Sequence, residues 1–208
     1  MLAIDVGGID GQVVSLIAHY NRLRPTLSRM TDLSLEALSA IAPSISEAQL
    51  HYYAEACAVA MDSCAHKPGV IVRVTGTQNA EFTLSWSPPD KTAGWQEPKL
   101  FVENGAYAIA FLLVPKFTKF EVVMQARIGT GVDYWLAHRE SVDQTTGSAN
   151  FLAARLEVSG IHRQSETNQP EFRLSAKQSQ AKQSAITGLP VCIVIVEFGS
   201  PRVIFSES

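Results

Sequence analysis

Residues 191–196 read Val-Cys-Ile-Val-Ile-Val directly after Pro190, with no polar side chain among them. A strand with one solvated face alternates apolar and polar positions, so a run that is apolar at every position predicts a strand covered on both faces. The chain must therefore build a sheet with cover on each side. Its 208 residues, 46% hydrophobic and 18% charged, suit one compact folded unit rather than a disordered chain.

Periodicity supplies the remaining elements. Residues 13–23 have the pattern of a short amphipathic helix ended by Pro25, preceded by a turn at Gly7 and Gly8. A second short helix is expected over 34–41, capped by Asp32 or Ser34 and stopped by Pro43. Ser46 and Gln49 fit the head of a longer helix to about His66, with Leu50, Tyr53, Ala54, Cys57, Ala58, Met61 and Cys64 as its buried stripe and His51 and His66 in solvent. After Pro68 and Gly69 the period changes to two, predicting a hairpin over 70–86. Pro98 opens a helix that is apolar nearly all round in its second half, hence buried, and Pro115 is expected to end it. Strands follow at 118–126, 132–138 and 151–162, then a polar helix at 174–187, the strand at 190–198, and a possible edge strand at 202–205. The expected fold class is α/β (α+β): a central mixed sheet flanked by helices, with residues 1–90 an N-terminal extension and 91–208 the core.

Two of these strands carry a misplaced charge. Asp133 and Glu157 each sit inside an otherwise apolar run, where an ionised carboxylate costs several kcal/mol unless it is paired or bound to a metal. Two acids on neighbouring strands can share a divalent cation. Each also has an ordinary alternative: Asp133 as a cap on backbone amides after a glycine turn, Glu157 as the partner of Arg155 or Arg163. Strict alternation places Arg155, Glu157 and Ser159 on one face of their strand. Tyr134 and Trp135 could stack on bases, but a core position for Trp135 is the better expectation.

From residue 98 onward the order helix, strand, strand, strand, helix, strand, with Gly131-Val-Asp133 entering the second strand and Glu157-Val-Ser159 on the third, resembles the restriction-endonuclease-like PD-(D/E)xK nuclease superfamily. The resemblance covers roughly residues 97–200. It implies a restriction-endonuclease-like core in which Asp133 and Glu157 bind Mg2+ or Mn2+, the Val158 carbonyl is a possible extra ligand, and Glu103 on the preceding helix adds a third acid. Gln180 falls where some members place a glutamine. The implied activity is metal-dependent phosphodiester cleavage of nucleic acid, DNA ahead of RNA, in defence or processing. The departure is Ser159, which stands where the superfamily carries a lysine and brings no charge to activate water or stabilise the transition state. Lys177 and Lys182 on the following helix are the substitutes on offer; about 140° separates them around the helix, and Lys177 is preferred. Without such a substitute the expectation becomes a non-catalytic subunit that binds nucleic acid or serves in assembly.

Charge and cysteine content are compatible with that reading. The net charge is −3, yet residues 116–182 hold nine basic against seven acidic side chains, so a polyanion is tolerable near the two acids. The N-terminus lacks a secretory pattern, no run of about 18 uninterrupted apolar residues implies a membrane span, and three scattered cysteines without a CxxC pair suit buried thiols in the cytoplasm. A protein partner or homo-oligomer is compatible with all of this.

Overall fold

A computed structural model describes residues 32–183 and 188–208. The turn and helix expected over residues 4–23 lie outside these, as does the end of the helix expected to reach 187. Residues Leu33–Ser208 form one compact unit. Its strands are β1 (Asp32–Ser34), β2 (Val70–Gly76), β3 (Ala80–Ser85), β4 (Phe120–Gln125), β5 (Tyr134–His138), β6 (Ala154–Ile161), β7 (Val191–Glu197) and β8 (Arg202–Glu207). The helices are α1 (Leu38–Ile41), α2 (Glu47–Ser63), α3 (Pro98–Phe117) and α4 (Pro170–Gln183).

All eight strands join one sheet in the order β1-β3-β2-β8-β7-β6-β5-β4. It is mixed: β6 runs parallel to β7 and β2 parallel to β8, while β4–β5, β5–β6, β7–β8 and β2–β3 are antiparallel. The fold is thus α+β with a mixed sheet flanked by helices, as the patterns require. The hairpin of residues 70–86 extends the same sheet through β8.

The apolar run of β7 is divided between two cores. Cys192, Val194 and Val196 enter the large core, with α2 and α3 on one side of the sheet. Val191, Ile193 and Ile195 enter a smaller one under α4, with Ile161, Ala181 and Ile204. Alternate side chains of a strand point to opposite faces, so neither face of β7 meets water. α3 is long and apolar enough to cross a membrane by length and composition, and its burial between α2 and the sheet accounts for that character. Two close approaches need glycine. A Cβ on Gly105 would stand 2.8 Å from the Cys57 Cα of α2, and one on Gly160 of β6 would collide with the Val102 carbonyl of α3.

Several sequence expectations need correction. Residues 32–34 are a strand, not a cap, and Ser34 makes no capping bond; its hydroxyl donates to Glu36 instead. Pro115 does not stop α3, which runs to Phe117. Proline removes one N–H near a helix end, and here Arg139 donates to the Pro115 carbonyl at 2.6 Å while Thr118 returns both its N–H and hydroxyl to Val114. The 202–207 strand is not an edge but lies between β2 and β7, because Val203 and Phe205 fill one core and Ile204 the other. His66 is not free in solvent: its Nε2 lies 2.8 Å from the Phe198 carbonyl. By contrast Ser46 does cap α2, accepting from the Gln49 N–H.

Candidate active site

The β4–β5 loop turns on Gly129 and Gly131, both with positive φ, and delivers Asp133 to the start of β5. There the Asp133 N–H donates to the Leu156 carbonyl and its Oδ2 accepts the Val158 N–H at 2.7 Å. Asp133 therefore caps the edge of β6 where pairing with β5 ends at Leu156. The backbone-capping alternative describes part of its role.

Glu157 is the next residue along β6. Its side chain faces α4, is 1% exposed, and lies beside buried Arg155 and Ser159, as strict alternation requires. That face lies under α4 at Arg155 and Glu157, and at Ser159 it reaches a cleft. Leu174 and Ala181 of α4 pack into the smaller core, and Lys177, on the same side of the helix, points down between them.

The three side chains meet. Lys177 Nζ lies 2.6 Å from Glu157 Oε2 and 3.4 Å from Asp133 Oδ2. Glu157 Oε1 is buried with no hydrogen-bond partner. Burial raises the Glu157 carboxyl above its ordinary pKa, against the opposing effect of the Lys177 hydrogen bond and charge. Burial alone would lower Lys177, but Asp133 and Glu157 together outweigh it and hold the ammonium above its ordinary value. The Glu157 partner is thus Lys177. Arg155 instead donates to the carbonyls of Ala181 and Leu189, and Arg163 to that of Ser63.

A cleft of about 400 Å³ opens beside this triad. The first turns of α3 form one wall and α4 the other, with residues 158–162 of β6 and its end between them; Asp133 and Lys177 both reach it. Ser159, which carries no charge, is one of the lining residues. Glu103 also lines the cleft but is exposed and makes no hydrogen bond or ion pair among the described residues. It does not join the other two acids: the described residues contain no group of three His, Cys, Asp or Glu placed to hold a metal. Gln180 and Lys182 are exposed and lie outside the cleft lining.

Several neighbours escaped the sequence reading. Tyr134 does not reach the cleft; it is fully buried, with its hydroxyl 2.6 Å from that of Tyr53 and both bonded by Gln49. Its ring meets Phe111 and Tyr107 edge-on. Trp135 is half-buried, and His138 packs against Phe120. His162 also lines the cleft, with Nε2 2.9 Å from Ser63 Oγ and its ring edge-on to Phe101. Burial, followed by the nearby Arg163 charge, lowers its pKa. Lys99, Asn168 and Arg173 also line the cleft. Arg173 was legible in principle, since it precedes Lys177 by one helical turn.

The donor set suits a hard divalent cation. Asp133 and Glu157 offer oxygen ligands only, and one buried Glu157 oxygen has no partner; the Lys177 ammonium bridges the same two carboxylates, so a cation would have to share them with it. The chain matches no protein-family profile, no curated protein and no solved structure.

Proposed function

We propose that this protein is a metal-dependent phosphodiesterase acting on nucleic acid, DNA ahead of RNA, built on a restriction-endonuclease-like core. The observation that carries the reading is the convergence of Asp133, Glu157 and Lys177, from three separate elements, beside one cleft. Asp133 and Glu157 would hold Mg2+ or Mn2+. When bound, such a cation lowers the pKa of a water and neutralises charge developing on the phosphorus oxygens.

The chain's own residues do the rest. Val158 donates its N–H to Asp133 Oδ2 and so fixes that carboxylate against the β6 edge. Lys177 supplies the positive charge that Ser159 cannot, from a helix rather than from the strand. Its raised pKa keeps it an ammonium at neutral pH, a hydrogen-bond donor and electrostatic stabiliser rather than a base. The substrate phosphate would complete a site that needs few protein ligands.

The test is nicking of supercoiled plasmid in Mg2+ or Mn2+ by wild type, Asp133→Ala and Lys177→Met. Wild type should cut. Both variants should lose at least about 100-fold in rate while circular dichroism reports an intact fold. Equal cutting by wild type and Asp133→Ala would identify a contaminant and remove the catalytic reading, leaving the same fold as a nucleic-acid-binding or assembly subunit.

A further inference from the structure

The cleft contains more positive charge than its triad uses. Lys177 is committed to Glu157 and Asp133. Lys99, in the first turn of α3, and Arg173, one turn before Lys177 on α4, line the same cleft and form no ion pair among the described residues. Glu171, the acid nearest Arg173 in sequence, is engaged by Arg202 instead.

Arg173 is also held in place. Its Nε donates to Asn168 Oδ1 at 2.9 Å, and Asn168 is fixed by a reciprocal backbone pair with Ser165, both bonds 3.2 Å. This contact uses the Nε edge of the guanidinium and the carbonyl end of the amide. The terminal guanidinium nitrogens and the Asn168 amide nitrogen remain as donors beside the cleft without acceptors among the described residues. Oriented donors of this kind, with a lysine opposite and no carboxylate of the described residues paired to either, suit a phosphate brought by a ligand. Residues four apart on a helix are displaced by about 6 Å along its axis, about the length of one sugar-phosphate repeat.

We propose that Arg173, oriented by Asn168, and Lys99 across the cleft form a second phosphate subsite. It would hold the phosphodiester next to the one that meets Asp133 and Lys177, so that the substrate strand runs along α4. The assignment rests on the phosphodiesterase reading for its ligand, but not on catalysis.

The experiment is fluorescence anisotropy of a short fluorescein-labelled oligothymidylate against the full-length protein in EDTA, repeated over a KCl series. Each lost phosphate contact should flatten the log Kd against log salt slope by about 0.7. Arg173→Ala and Lys99→Ala should each show that flattening, with about tenfold weaker binding at low salt for Arg173→Ala. Arg173→Lys should recover the slope while binding several-fold more weakly than wild type, because a lysine cannot be oriented by Asn168 through an Nε–H. Asn168→Ala should keep the wild-type slope and lose affinity. A merely structural Arg173 would leave the slope unchanged, and unchanged slopes in both alanine variants would overturn the subsite, as would failure of wild type to bind. Because no metal is present, the two readings fail separately: no plasmid cleavage with an Arg173-dependent slope removes only the enzyme, and cleavage with unchanged slopes removes only the subsite.

Discussion

Removal of the Lys177 ammonium is the most direct perturbation of the candidate site, and its effect should depend on pH. Glu157 is 1% exposed and Lys177 20%, at 2.6 Å, and Glu157 Oε1 already lacks a partner. In Lys177→Ala the carboxylate must either stay buried without a cation or take up a proton. Breaking a buried pair costs about 3–5 kcal/mol, and the option of protonation places the expectation near the lower end, about 3 kcal/mol at neutral pH. In a unit of this size that is a fall in Tm of about 6–12 °C. Glu157→Gln should cost less, since Lys177 keeps Asp133 at 3.4 Å, and a double-mutant cycle should return a coupling of about 2 kcal/mol. The folded state binds the Glu157 proton more tightly than the unfolded chain, where the carboxyl titrates near 4.5. Protons bound in the folded state therefore exceed those in the unfolded state above that value, and stability falls as pH rises. Without Lys177 this effect grows, so the variant's penalty should be small near pH 4 and develop fully by about pH 7. The titration of Lys177 itself acts at the other end of the range: the contribution it makes to wild type at neutral pH persists up to 10.5 and is lost as pH rises through its elevated folded value. Urea denaturation at both pH values measures the difference. A penalty below about 0.5 kcal/mol at pH 7, or an equal penalty at both, would refute the reasoning.

Two further outcomes follow from packing. Gly160→Ala should destabilise by about 3 kcal/mol, the upper end for overpacking, because its Cβ has no position clear of the Val102 carbonyl; a thermal melt within about 1 kcal/mol of wild type would show that α3 can move away. Tyr134→Phe should cost about 1–2 kcal/mol by leaving the buried Tyr53 hydroxyl with Gln49 alone, and an unchanged urea midpoint would assign the network no net stability.

The parts of the fold that were legible in the sequence are those where one local rule decides. The unbroken apolar run of β7 required cover on both faces, and the two cores divide it residue by residue. Ser46 marked the start of α2, and the change from period 3.6 to 2 marked the hairpin. The errors lie where distant residues decide. Whether Arg202–Glu207 is an edge depends on β2, some 130 residues earlier, pairing with it in parallel. Pro115 falls in the last turn of α3, where Arg139 meets its carbonyl, and no reading of residues 110–118 contains that arginine. Tyr134 looked like a candidate for base stacking because Asp133 beside it faces the cleft, yet adjacent strand residues point to opposite faces, and its face is the core.

The choice between Lys177 and Lys182 shows how far the sequence could have gone. Leu174 and Ala181 are the apolar residues of α4 that pack toward the sheet, and they lie seven apart. Positions i, i+3 and i+7 share one helical face, so Lys177 belongs to the buried stripe, while Lys182, one residue beyond Ala181, is turned about 100° away. A lysine inside an apolar stripe needs an anion as surely as a carboxylate inside a strand needs a cation. Helix and strand thus each carried one half of an ion pair, and either half alone was a local anomaly. The sequence leaves the register of α4 over β6 open. Packing of Leu174 and Ala181 against Ile161 and Ile193 sets it and brings the ammonium over Glu157 rather than a neighbour. A lysine at position 159 would rise from the same face of β6, about 6–7 Å along the strand from Glu157, and Lys177 descends onto that face from the helix above. Under the proposed reading, the charge has moved from strand to helix while its place beside the two acids is kept.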